Sequence, residues 1–386
     1  MKKIFVFLAV LLVSVSACKN PFLKKMLVED EKEIESPAPA TPANPGVPKP
    51  QLPKYTITFG VEGGTGGTLK AQVDGNEIHT GDSVEQGKTL VFTAKPAPDY
   101  VVEQWTKGGT VIGEAGTDTS YTYAVTADAD IKVKFQSLFV EGGASLILSP
   151  DKLDIKVKVT TADNSSVRIE GCTETELTSG TQTVLHAKGT RVILKGNIIK
   201  LYCGSNQLTA LNVQGLTALE RLYCFNNQLT ALNVQGLTAL QELGCPANQL
   251  TALNVQGCTA WKWLGCDNNQ LTALNVQGLT ALQTLWCYNN QLTVLNVQGL
   301  TALERLDCYG NRLTADAFKK LFDDLPVRAE GNNATCVLYT EESGVSESNH
   351  TDFSAPSDLA DAFNNAKNNK KWKMYKINGR GYWVEI

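Results

Sequence analysis

The stretch Leu222–Glu242, LYCFNNQLTALNVQGLTALQE, decides the fold, because it is one period of a sequence that repeats itself. Asn206, Asn227, Asn248, Asn269, Asn290 and Asn311 recur every 21 residues, and Cys203, Cys224, Cys245, Cys266, Cys287 and Cys308 recur at the same interval. Leu219, Leu222 and Cys224 form an L-x-x-L-x-apolar unit, and Leu229, Leu232 and Val234 form another ten residues on. Alternate residues of an extended chain face opposite sides, so both units point inward. Two inward segments per period leave no room for a full helix. The spacing therefore predicts a flattened β coil, with successive coils about 4.8 Å apart.

The two invariant columns have structural roles on this reading. The asparagine amides are suited to bonding backbone groups at the bend where each strand ends. The cysteines stand where a core hydrophobe is needed, and free cysteine packs as one. Their spacing lacks C-x-x-C pairs, which argues against a metal site, and disulfides between adjacent coils would have to be strained into a ladder. Cys258 supports packing, since it replaces the leucine found at Leu216, Leu237, Leu279 and Leu300. Trp261 replaces another core leucine and is expected inside.

From Leu201 to about Leu313 the pattern L-x-x-L-x-C-x-x-N-x-L resembles the leucine-rich repeat family, with cysteine at the last leucine-like strand position. In detail it is similar to the short, nested bacterial class found in spirochaete and Bacteroidetes surface proteins. The resemblance implies a solenoid that binds through its strand face. The expected fold is mainly β: a leucine-rich repeat solenoid with an N-terminal β module, a β N-cap over 137–200 and a small α/β C-terminal cap over 314–386.

Differences between the copies mark the face. The units are nearly identical over QLTALNVQG and vary around the inward leucine and cysteine of the strand. The column before the leucine holds Arg221, Trp263 and Arg305. The column between leucine and cysteine holds Tyr202, Tyr223, Trp286 and Asp307, and the column after the cysteine holds Phe225, Asp267, Tyr288 and Tyr309. These side chains should point outward. Tyr, Trp, Phe and Arg are favoured as interface anchors. Drift alone would leave mainly small polar residues there, so the strip reads as a recognition patch.

The flanks supply the setting. Lys2 and Lys3 precede a short apolar run, Ile4–Val13, and then Val15-Ser16-Ala17-Cys18. This resembles a bacterial lipoprotein signal, which implies cleavage before Cys18 and diacylglycerol attachment to its sulfur. An ordinary secretory signal cut after Ala17 is the alternative. Residues 18–53 are charged and then Pro-rich, with seven prolines from Pro37 to Pro53, a composition that favours an extended tether. Residues 54–136 alternate with period two between glycine-rich turns, the pattern of short antiparallel strands. Phe59, the Gly63-Gly64-Thr65-Gly66-Gly67 turn, Gly87–Ala94, Tyr100, Trp105 and Ile131–Phe135 resemble the divergent internalin-type B repeat. Beyond Asn311, Thr314 caps a predicted helix stopped by Pro326. A strand at Cys336–Tyr339, a helix from Ser357 and a hairpin turning at Asn378-Gly379 are expected to follow.

Formal net charge is −4, from 35 Lys+Arg against 39 Asp+Glu, without the basic footprint of a nucleic-acid binder. His79, His186 and His350 are scattered over different modules, and no nucleophile, phosphate-loop or metalloprotease motif is found. The expectation is a non-enzymatic protein without cofactor, lipid-anchored in the cell envelope, in the outer membrane and exposed at the surface. The architecture resembles bacterial adhesins, which implies a protein partner on host matrix, host cell or neighbouring bacterium. A periplasmic assembly lipoprotein and a glycan-binding module are the alternatives.

Overall fold

The computed structural model describes residues 51–386. The signal segment 1–17, the lipidation residue Cys18 and the tether up to Pro50 lie outside the described residues. The described residues are mainly β, with two α-helices among them, and residues 53–386 form one compact unit. No helix among the described residues is long and apolar enough to cross a membrane.

The first module stacks two sheets. One runs Asp82–Glu85, Lys54–Val61, Ala129–Ser137, Tyr100–Lys107 and Thr110–Val111; the other runs Asn76–Ile78, Gly67–Val73, Thr89–Pro96 and Ser120–Ala124. Alternation buries Ile57, Phe92, Trp105, Ile131 and Val133 between them. The Trp105 indole is satisfied by the Asp118 carbonyl at 2.8 Å. The expectation of antiparallel strands fails at one place: Lys54–Val61 and Ala129–Ser137 pair in parallel. A long connection returns the chain to its first strand, which period-two alternation cannot reveal. The glycine turn also has a packing reason. A Cβ on Gly67 would stand 2.6 Å from the Lys95 carbonyl and 2.7 Å from the Phe135 ring.

The solenoid is built as the 21-residue period predicts. Three-residue strands Arg221–Tyr223, Glu242–Gly244, Trp263–Gly265, Thr284–Trp286 and Arg305–Asp307 pair in parallel, each shifted by one repeat. Their leucines and cysteines are wholly buried. The second inward segment keeps Leu229 and Val234 buried, yet it forms only isolated bridges, Asn212 to Asn233 and Asn233 to Asn254. Each of these asparagines turns its own side chain onto the amide two residues on, which competes with a continuous ladder.

Each column asparagine bonds as its position requires. Asn248 Nδ2 donates to the carbonyls of Cys245 and, one coil earlier, Cys224, both at 3.1 Å, while its Oδ1 accepts from Leu229 N–H at 3.0 Å. Asn227, Asn269, Asn290 and Asn311 repeat this arrangement. Asn206 opens the ladder against Lys156 of the cap. Its last rung is Asn349, which accepts from Leu313 N–H at 2.8 Å and donates to Cys308 and Leu338 carbonyls. Asn349 lies outside the period and carries no repeat signature.

Both caps continue the coil sheet. Asp154–Thr161 pairs with Ile198–Tyr202 and Gly143–Leu148 with Leu208–Asn212, so the N-cap covers both sides of the first coil. At the other end Thr335–Thr340, Lys373–Ile377 and Trp383–Glu385 extend the sheet. Helix α1 (Ala315–Asp324) is capped by Thr314, whose hydroxyl accepts from Ala317 N–H, and Lys370 Nζ donates to the carbonyls at its far end. Helix α2 (Ser357–Asn368) packs Phe363 against Phe322 and Phe353. The final hairpin is looser than a two-residue turn at Asn378-Gly379. The bond runs from Asn378 N–H to the Tyr382 carbonyl, and Gly381 supplies the positive φ of 80°. All nine described cysteines are free and buried, including Cys172 and Cys336, to which the sequence assigns no role.

Candidate functional site

The outward strip is set by the coil register. Tyr202, Tyr223, Gly244, Gly265, Trp286 and Asp307 lie side by side on successive strands. Their rings meet in a chain: Tyr202 stacks on Tyr223 at 4.9 Å and 8°, Tyr223 meets Trp263 at 5.8 Å, and Trp263 meets Trp286 edge-on at 5.2 Å. Tyr288 and Tyr309 form a second stack at 4.5 Å and 9°. Stacked rings at coil spacing cover each other's faces.

The glycines in these columns are seats for neighbouring rings. A Cβ on Gly265 would stand 2.7 Å from the Trp263 ring, and one on Gly244 would be squeezed between Tyr223 and Trp263. Gly204 lies beneath Phe225 in the same way. Phe225 keeps 42% of its surface exposed, the most open ring of the repeat columns.

The charges of the strip are largely matched within it. Arg221 pairs with Glu242 at 3.3 Å, and Glu242 also takes the Tyr223 hydroxyl hydrogen bond. Arg305 pairs with Asp307 at 2.9 Å and lies between two indoles, 4.9 Å from Trp286 and 4.7 Å from Trp383. Burial, with Glu242 beside it, holds the Tyr223 phenol well above its ordinary pKa; burial does the same for Tyr288 and Tyr309, with the Asp267 and Asp307 charges adding to it.

Two sequence-predicted contact residues are placed differently from expectation. Asp267 and Asp307 belong to outward columns but are only 3% and 4% exposed. Asp307 is paired with Arg305 of its own strand and Asp267 with the adjacent Asn268, and burial raises both carboxyl pKa values. Asp267 Oδ2 accepts from Asn268, and Oδ1 has no partner among the described residues. Tyr202, Arg221, Tyr223, Trp263, Trp286, Tyr288, Arg305 and Tyr309 are partly exposed and lie together.

The strip also runs past the repeats. Trp383 carries it onto the C-terminal hairpin, where Tyr375 packs against it at 5.6 Å. The repeat period ends at Asn311, so no columnar signal marks these two residues. At the other end Lys158 of the N-cap sits over Tyr202 at 6.0 Å.

Comparison with known proteins locates one module. Residues 55–138 match the family described as the divergent InlB B-repeat domain. No curated protein matches the chain. A solved structure described as the functional domain of InlJ from Listeria monocytogenes, which includes a cysteine ladder, is 32% identical over 35% of this chain and 30% of that one, with a TM-score of 0.31. The chain thus spans under a third of that protein's structure, and the family resemblance rests on residues 55–138.

Proposed function

We propose that this chain is a lipid-anchored, surface-exposed leucine-rich repeat protein that mediates adhesion by binding another protein through its strand face. The observation that carries the reading is the run of touching aromatic rings from Tyr202 to Trp286. It continues through Arg305 to Trp383 on a solenoid otherwise covered by Asn, Gln and Thr. Aromatic and arginine side chains held in place by neighbours lose little freedom on binding, which is the property of an interface anchor. The match of residues 55–138 to a surface-protein repeat supports a bacterial surface protein-interaction module. Ring stacking supports a protein partner over a glycan, because Tyr202, Tyr223, Tyr288 and Tyr309 each spend a face on a neighbour. Anchoring through Cys18 would set this face away from the membrane on the Pro-rich tether. Binding, without chemistry, is the activity we assign.

The test replaces Tyr223, Trp286 and Tyr288 together by Ala and measures attachment of cells to host matrix proteins and host cells. Loss of attachment with retained folding is expected. Unchanged attachment would refute the assigned face. Protease treatment of intact cells checks exposure: a protected chain could not act as an adhesin.

A further inference from the structure

A second asparagine column lies on the other side of each coil: Asn212, Asn233, Asn254, Asn275 and Asn296. Each Oδ1 accepts the backbone N–H of the glutamine two residues on, at 2.9–3.2 Å. That bond fixes which way the amide points, so each Nδ2 is aimed alike, one coil after another. Asn212, Asn233 and Asn254 are also bridged in parallel, which keeps these rungs in register.

The first two rungs show what such a pair holds. Asp99, at a turn of the first module with φ of 62°, lays its carboxylate across them. Oδ1 accepts from Asn212 Nδ2 at 2.7 Å and Oδ2 accepts from Asn233 Nδ2 at 3.0 Å. One carboxylate, two rungs and one bond to each oxygen make a two-point seat. The coil spacing of about 4.8 Å suits it, because the two donors converge on oxygens about 2 Å apart.

The same donors continue without an occupant. Nδ2 of Asn254, Asn275 and Asn296 makes no hydrogen bond among the described residues, and Asn254 and Asn275 are exposed. We propose that this column is a carboxylate-binding ladder. The chain's own Asp99 fills its first seat, and the pairs Asn254/Asn275 and Asn275/Asn296 take the Asp or Glu side chain of an acidic protein partner. This surface is separate from the aromatic strip and does not depend on it.

The experiment uses the full chain with asparagine side chains ¹⁵N-labelled, titrated with glutarate at constant ionic strength, and its binding to immobilised poly-L-glutamate. Saturable shifts are expected at the side-chain amides of Asn254, Asn275 and Asn296. Binding to poly-L-glutamate should weaken at least tenfold in the Asn254→Ala/Asn275→Ala/Asn296→Ala variant. In Asp99→Ala, the Asn212 and Asn233 amides should join the glutarate response. The Tyr223, Trp286 and Tyr288 triple variant should leave all of this unchanged, so the two surfaces fail or hold separately. Absence of saturable shifts, or full poly-L-glutamate binding by the asparagine variant, would overturn the proposal.

Discussion

Replacing Asn248 by Ala tests the ladder at a single interior rung. The change removes the only acceptor of the Leu229 N–H, which is buried inside the coil. An orphaned buried donor costs about 1–3 kcal/mol. The Nδ2 contacts count for less, because their carbonyls keep other donors: Cys224 O retains Asn227 at 3.0 Å and Cys245 O retains Asn269 at 3.0 Å. Their loss adds about 0.5–1.5 kcal/mol. Together the cost is about 1.5–4.5 kcal/mol. The control is Asn254→Ala in the exposed column, whose one intramolecular bond is to Gln256 N–H at 3.1 Å; it should change stability by less than about 0.5 kcal/mol. Urea unfolding followed by tryptophan fluorescence and by circular dichroism reads both variants, and both probes are needed because repeat arrays unfold in a less concerted way. If Asn248→Ala unfolds within about 0.5 kcal/mol of the parent, the ladder is not what satisfies the bends.

Other outcomes follow from the same geometry. Ala247 sits at φ 53° in a column otherwise filled by Ser205, Asn226, Asn268, Asn289 and Gly310, so Ala247→Asn should stabilise by about 0.5–1 kcal/mol, seen as a rise in Tm. Gly265→Ala should push Trp263 off its seat and alter strip fluorescence while the fold persists. Burial raises the thiols of Cys203, Cys224, Cys245, Cys266 and Cys287, Cys224 up to about 12, and all nine described cysteines are buried, so thiol reagents at pH 8 should label none of the nine before unfolding and all of them after it. His186 Nδ1 lies 2.6 Å from Glu174, whose carboxylate raises the imidazole pKa and is itself lowered to about 2. The histidine's share of stability is therefore present below its unfolded pKa and is lost as pH rises through the raised one. The glutamate's share is present above its unfolded pKa and is lost only as pH falls towards about 2. NMR titration should place His186 above 6.5, and Glu174→Gln should bring it back.

The amino-acid sequence by itself determined the coil. A 21-residue period and two-sided alternation dictate which residues face inward, because neighbouring coils must bury the same positions. The cysteine core, the asparagine bends and the outward columns are local consequences of that rule. Contacts across coils and modules were decided only in three dimensions. Asp267 and Asp307 are outward by column yet buried, which the column position alone does not reveal. Gly244 and Gly265 look like gaps in an aromatic column and serve as seats for Trp263. Trp383, Asn349 and Asp99 lie outside the repeat, so no period could reveal that they extend the strip, close the ladder and bridge two rungs. A repeat encodes what one coil demands of its neighbour. The partners that meet the solenoid from its caps and its flanking module are set by packing over separations of 36 to 134 residues, which leave no local mark in the chain.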